Sequence, residues 1–137
     1  MTNNRFTIAI HIMTLLATTE AEWLPSEMIA GSMNLHPVLV RKELANLRNN
    51  KLIISREGKN GGSALALPAE QIRLSRIYQA VRDGSLLGGN KHDPNPDCPV
   101  GKQINRHLSE LYGTAEEALI QQLGETTLAG FSRQFER

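Results

Sequence analysis

The amino-acid sequence predicts a mainly α-helical fold with one small β-hairpin. Apolar residues recur at helical spacing in several separate segments of the chain. Two short apolar runs flank a turn that contains three glycines, at residues 56–62, which is typical of a hairpin. The length of 137 residues, with 40% hydrophobic and 21% charged residues, suits one packed domain better than two domains or a disordered chain.

The first predicted helix covers residues 4–19 and is apolar on almost every side. A helix of this kind is buried, so we expect it in the core or in a dimer interface. His11 interrupts the apolar run and Thr18 ends it, which leaves it too short to cross a bilayer. Because Thr18-Thr19-Glu20 is a poor signal-peptide cleavage region, we interpret the chain as a cytoplasmic protein with no membrane partner.

A short helix and a longer helix follow, separated by a tight turn. We expect Ser26 to cap the shorter helix, whose inward side carries Met28, Ile29 and Met33. The longer helix spans residues 37–49 and begins with a proline, whose missing N–H group costs nothing in the first turn. Its buried stripe is formed by Val40, Leu44 and Leu47. This order and spacing are those of a helix-turn-helix.

The predicted hairpin comes directly after the longer helix. We expect a strand at residues 52–54, the glycine-containing turn at residues 56–62, and a return strand at residues 64–67. A strand, a glycine-rich loop and a second strand after a helix-turn-helix form the wing of a winged helix. The predicted fold is therefore a winged helix-turn-helix with a long C-terminal dimerisation helix.

The rest of the chain is predicted to be helical apart from one loop. A helix covers residues 69–82, and the glycine- and proline-containing segment 83–99 is interpreted as a loop. The longest helix covers residues 100–123, and a short helix lies near residues 127–135.

We divide the chain into a winged helix-turn-helix domain (1–82), a loop (83–99), and a dimerisation helix with a C-terminal tail (100–137). The terminal helices carry more apolar surface than one small hairpin can cover. A homodimer is therefore expected.

Charge is concentrated around the helix-turn-helix and the wing. The net charge of the chain is only +1, but residues 36–60 carry six basic and two acidic side chains. A local basic block of this kind favours an anion-binding surface, and nucleic acid is the main candidate partner. The alternative interpretation is a solvated, charged helix face.

The segment from Ser26 to Val81 resembles the winged-helix core of the Rrf2 family of bacterial transcriptional regulators. The matching features are the end of the longer helix at residues 44–53, the wing sequence REGKNGG and the helix sequence LSRIYQAV. The later HDPNPDCPVG and the long helix resemble a branch of this family whose members lack a full cysteine set. The resemblance implies a winged-helix regulator that binds double-stranded DNA.

The cysteine content departs from the cluster-binding members of that family. These members supply three cysteines between the helix that follows the wing, here residues 69–82, and the long helix, whereas this chain has only Cys98. An iron–sulfur cluster held by thiolates needs three or four protein ligands, so we expect no cluster and no other cofactor. Cys98 remains a candidate redox residue, with a half-buried structural cysteine as the alternative. The nearby histidines and aspartates match no known metal-ligand spacing, so we expect no metal site.

The side chains expected to contact DNA lie on the longer helix and the wing. Arg41 can donate two hydrogen bonds to guanine O6 and N7, His36 can bond to a base edge, and Val38 can contact a thymine methyl group. Arg48 and the wing residues suit phosphates or the minor groove, and the helix beginning at Ser26 can bind a phosphate. The full predicted set is Ser26, His36, Pro37, Val38, Arg41, Lys42, Arg48, Arg56, Lys59 and Asn60.

The sequence therefore predicts a sequence-specific transcriptional regulator, a repressor that binds a near-palindromic DNA site as a homodimer. The alternative is a winged-helix module that binds a partner protein through the long helix and does not bind DNA. No catalytic constellation is present in the pattern, so an enzyme is not expected. The sequence leaves open whether a small-molecule effector binds; its expected place is a pocket between the helix at residues 69–82 and the long helix.

Overall fold

The computed structural model describes residues 4–83, 87 and 92–135. The fold is mostly helical with one antiparallel hairpin, which confirms the predicted class. The elements in chain order are α1 (Arg5–Thr18), α2 (Ser26–Met33), α3 (Pro37–Asn49), β1 (Ile53–Arg56), β2 (Gly62–Leu65), a 3₁₀ turn (Ala69–Gln71), α4 (Leu74–Val81), α5 (Ile104–Leu123) and α6 (Leu128–Ser132).

The core forms between α1 and the helix-turn-helix. The residues Val40, Leu44 and Leu47 of α3 are all buried, which confirms the predicted stripe. They belong to one apolar cluster with the buried side of α1, the start of β1 and the inward side of α4. Because this stripe faces the core, the opposite side of α3 is left on the surface.

The beginning of α2 differs from the prediction. Ser26 is the first helical residue, and Pro25 occupies the cap position without a side-chain hydrogen bond. The Pro25 carbonyl oxygen accepts from the N–H groups of Met28 and Ile29 at 3.1 and 3.2 Å. The proposal that Ser26 caps this helix was therefore wrong. Met28 also points outward, with 63% of its surface exposed, whereas Ile29 is buried as expected.

The hairpin is shifted toward its loop relative to the predicted strands. Ile53 pairs with Leu65 and Arg56 pairs with Gly62, so the connecting loop has five residues, 57–61. Regular pairing thus reaches Gly62 at the start of β2, where the sequence had indicated a turn. On the other side of β2, Leu24 forms an antiparallel bridge to Ser63, so Ser63 is paired on both sides.

The predicted helix at residues 69–82 is divided into a 3₁₀ turn and α4. Between them, the carbonyl oxygen of Ile72 accepts from the N–H of Leu128 at 2.7 Å. The N–H of Leu74 donates to the carbonyl oxygen of Thr126 at 3.0 Å. Because these backbone groups bond to the C-terminal segment, they are not available for one continuous helix.

The C-terminal segment returns to the core. The Thr127 side chain caps α6 by accepting from the N–H of Gly130 at 3.0 Å. Leu128 is fully buried in the same apolar cluster as α1. The structure thus packs α6 against the part of the chain that precedes residue 82.

The long helix α5 begins at Ile104 rather than at residue 100, because turns occupy residues 96–103. None of its residues is buried, and Leu111 is 61% exposed. Glu116 ties it to α4, since its Oε1 accepts from Tyr78 Oη at 3.2 Å and from Arg82 Nη1 at 2.9 Å.

The predicted loop 83–99 is only partly described. Residues 92–95 have no regular structure, while 84–86 and 88–91 lie outside the described residues. Within residues 4–83, 87 and 92–135, none of the helices combines the length and apolar character needed to span a membrane.

Candidate nucleic-acid interface

A concave surface of about 520 Å³ lies between α3 and the hairpin. Four basic side chains line it, two from α3 and two from the wing, and the start of α2 closes one side. Glu27 is the acidic residue among the lining side chains. We call this surface the basic groove; its basic residues are Arg41, Arg48, Arg56 and Lys59, and Ser26 also lines it.

The N-terminal half of α3 projects from the surface beside this groove. Val38 and Leu39 are 55% and 51% exposed, and both Arg41 and Lys42 are also exposed. Such a mixture of basic and apolar side chains can meet both polar base edges and thymine methyl groups. Leu39 was missed by the sequence reasoning, although its position outside the buried stripe was the available signal.

His36 and Pro37 shape the beginning of α3. The Nδ1 atom of His36 accepts a hydrogen bond from the N–H of Val38 at 3.1 Å, so its side chain caps the helix. Pro37 is the first helical residue, as predicted. Because His36 is also exposed, its capping role is compatible with the predicted contact to a base edge.

Arg48 links α3 to the hairpin. Its Nη1 donates to Ser55 Oγ in β1 at 3.0 Å. This bond fixes the base of the wing against the end of α3. Arg48 therefore has a positioning contact within the chain in addition to the predicted phosphate contact.

The tip of the wing extends into solvent. Lys59 and Asn60 are exposed, and Gly58 adopts a positive φ of 100° in the loop. On the other side of the wing, Asn60 and Arg56 line a second concavity of about 380 Å³ together with Trp23. The predicted DNA-contacting residues thus lie on α3, the start of α2 and the hairpin, around two adjoining surfaces.

The basic side chains of this region are available for an external anion. Within the described ranges, Arg41, Lys42, Arg56 and Lys59 form no ion pair. Four unpaired positive charges on one side of a small chain attract a polyanion and guide its approach.

Cys98 is not among the residues that line the basic groove, and it is exposed rather than half-buried. Hydrogen bonds from the backbone N–H groups of Gly101 and Val100 lower the pKa of its thiol. The described part of the chain contains no group of three or more histidine, cysteine, aspartate or glutamate side chains that could hold a metal ion.

A family model described as Rrf2, iron-dependent transcriptional regulator, matches residues 2–134. The chain belongs to the Rrf2 family of transcriptional regulators. This confirms the resemblance in the helix-turn-helix, the wing and α4. YwnA of Bacillus subtilis (strain 168), a candidate helix-turn-helix transcriptional regulator, is 37% identical over 128 residues, which cover 93% of this chain and 94% of YwnA.

Several solved structures have the same fold as this chain. One is a crystal structure of a candidate DNA-binding protein, whose sequence is 32% identical to this chain. The alignment covers 93% of this chain and 97% of the other, with a TM-score of 0.74. The structure of CymR, the global cysteine regulator of B. subtilis, is 22% identical, covers 99% and 98% of the two chains, and gives a TM-score of 0.70. At that identity, the likeness to CymR concerns the fold alone.

The iron-dependent description of the Rrf2 family does not fit the donor set of this chain. An iron–sulfur cluster held by the protein needs three or four ligands, usually thiolates. This sequence supplies one thiol, Cys98, and it lies exposed on a turn. The residues present therefore do not match the ligands of such a cluster.

Proposed function

We propose that this Rrf2-family regulator binds a specific, near-palindromic DNA site as a homodimer and represses transcription there. The basic groove is the observation that carries this proposal, because it joins the outer face of α3 to an exposed wing. Membership of a family of transcriptional regulators supports it. A regulator that binds DNA acts where the DNA lies, so we place the protein in the cytoplasm.

The proposed binding mode inserts the start of α3 into the major groove. Arg41 donates to guanine O6 and N7, while Val38 and Leu39 contact thymine methyl groups. Lys42 and His36 bind at the edges of the same base pairs. The wing residues Arg56, Lys59 and Asn60 contact the backbone or the minor groove, and Arg48 and Ser26 contact phosphates.

The proposed homodimer forms through α5. A 20-residue helix without a buried residue, and with Leu111 and other apolar side chains on its surface, is typical of an interface. Two copies related by twofold symmetry present two α3 helices to successive turns of the duplex. This arrangement explains why a near-palindromic site is proposed.

We further propose that the protein works without an iron–sulfur cluster or other cofactor and catalyses no reaction. One exposed thiol is too few for a cluster of three or four ligands. A signal must then act by other means, and the candidates are a small-molecule effector or oxidation of Cys98. The lowered pKa of the Cys98 thiol favours its reactive thiolate form.

Selection of bound fragments from the source genome tests the function. We expect the wild-type protein to recover a small number of fragments that share a related, near-palindromic sequence. Affinity for a recovered duplex should fall steeply with salt, because bound DNA releases counterions. Recovery of unrelated fragments, or binding to a partner protein with little salt dependence, would instead favour the protein-interaction module.

A further inference from the structure

The buried side of α3 holds a carboxylate as well as apolar side chains. Glu43 is only 5% exposed, although the helix points its basic side chains to solvent. Its Oε2 accepts from Arg5 Nε at 3.2 Å, and its Oε1 accepts from Arg5 Nη2 at 3.3 Å. Two parallel bonds between a guanidinium and a carboxylate fix both distance and angle.

Further hydrogen bonds connect this pair to the C-terminal end of α4. Arg5 Nη1 donates to both carboxylate oxygens of Asp83 at 3.2 Å. Asn46 Nδ2 donates to Glu43 Oε1 at 3.2 Å and to the carbonyl oxygen of Ala80 at 2.9 Å. We call these residues the Arg5–Glu43 cluster. The cluster joins the first residue of α1, the middle of α3 and the C-terminal end of α4.

Stability alone is a poor explanation for this cluster. Removing a charged pair from water is costly, and apolar residues of similar volume often stabilise a protein as well or better. Apolar packing is non-directional, so the stripe on α3 determines which side of the helix is buried but tolerates small rotations about the helix axis and small shifts along it. Directional bonds from two neighbouring elements can set both.

We propose that Arg5 and Glu43 are positioning residues that align the outer face of α3 with the base edges. The inference rests on the proposed DNA-binding function. Glu43 follows Arg41 by two residues, which corresponds to about 200° around a helix. The two side chains therefore lie on nearly opposite sides of α3. A rotation of the helix that the bonds of Glu43 prevent would turn Arg41 by the same angle on the DNA side. Glu43 itself touches no DNA.

Glu43→Gln is the most informative substitution. It keeps the size of the side chain and leaves no buried charge without a partner, and Arg5 retains its bonds to Asp83. We expect affinity for a duplex recovered by genomic selection to fall about tenfold, because misalignment of Arg41 weakens its contacts with the base edges. Affinity for a scrambled duplex of equal length should change less than twofold, since the exposed basic residues are unchanged.

Arg82→Gln is the matched control. It removes another ion pair between two helices, in which Arg82 Nη1 donates to Glu116 Oε1 at 2.9 Å; this pair joins α4 to α5 and does not touch α3. We expect it to leave the ratio of the two affinities unchanged. Thermal unfolding of both variants shows how much folded protein each titration contains.

Hydrogen exchange of the free proteins tests the positioning without DNA. We expect the amides of α3 to exchange faster in Glu43→Gln than in wild type or Arg82→Gln. Unchanged exchange in α3, or equal losses of affinity for both duplexes, would overturn the positioning role. If the wild-type chain itself does not distinguish the duplexes, the proposed function fails, and the exchange data alone then decide whether the cluster positions α3.

Discussion

Arg41 is the residue on which the proposed base readout depends most. It lies in the second turn of α3, it is exposed, and it lines the basic groove. A guanidinium can donate two parallel hydrogen bonds to one guanine, whereas a lysine ammonium acts more as a point charge. This geometry separates the expected role of Arg41 from that of its neighbour Lys42.

Arg41→Ala should weaken binding to the selected duplex by about 1–3 kcal/mol. Binding to a scrambled duplex should weaken much less, because the lost contact reads a base. Parallel titrations with the two duplexes measure the difference. Arg76→Ala, which removes another exposed positive charge, from α4, is the control for simple loss of charge. Equal losses on both duplexes would assign Arg41 to a phosphate instead.

At the level of single elements, the wing depends on a close backbone approach at Gly62. This residue has a φ of 154°, and a Cβ atom placed there would lie 2.5 Å from the backbone C and O atoms of Leu24. Leu24 pairs with Ser63 through two backbone hydrogen bonds of 3.0 and 2.9 Å. Any side chain at Gly62 must therefore displace the segment that supports the hairpin.

Gly62→Ala should lower the free energy of unfolding by about 1–3 kcal/mol, and it should also weaken DNA binding because the wing moves. Urea denaturation measures the first effect. Gly58→Ala is the matched control, because Gly58 also has a positive φ, 100°, but an added Cβ would meet no atom within 4 Å. A loss in Gly62→Ala no larger than in Gly58→Ala would show that the contact with Leu24 is unimportant.

For the whole molecule, the return of α6 to the core ties the two ends of the chain together. Leu128 is fully buried beside α1, and backbone bonds join Ile72 and Leu74 to the segment that precedes α6. Stability of the helix-turn-helix therefore depends on residues about 80 positions away from it. The long helix α5, in contrast, contributes little buried surface within one chain.

Leu128→Ala should destabilise the protein by about 2–5 kcal/mol, as expected when a large side chain is removed from a packed core. Urea unfolding measures this change. Phe135→Ala removes an exposed side chain from the same end of the chain and should cost far less. Similar stabilities for the two variants would mean that α6 does not belong to the folded core.

Leu111→Glu should convert the proposed homodimer into a monomer without unfolding it, because a charge in an apolar interface has no partner. Sedimentation equilibrium gives the mass, and circular dichroism gives the helix content. Arg106→Gln, on another side of α5, changes the net charge equally and should leave the dimer intact. A Leu111→Glu protein that remains dimeric would place the interface elsewhere.

Local patterns in the sequence were sufficient for the helix-turn-helix. The spacing of Val40, Leu44 and Leu47 predicted the buried face of α3, and Pro37 predicted its beginning, because both signals arise within a few residues. The same pattern contained an unused signal. Glu43 lies three residues after Val40 and four before Leu47, so this spacing places a charged side chain on the side of α3 that faces the core.

The sequence by itself thus determined the fold class, the order of the helices and the hairpin, and the side of α3 that carries Arg41. Tertiary structure alone decided that Arg5 partners Glu43, that Leu24 pairs with Ser63 of the hairpin, and that α4 begins at Leu74. Each of these features depends on hydrogen bonds between residues far apart in the chain. Periodicity reports which side of an element is apolar, but it does not report which distant group will meet a polar atom there.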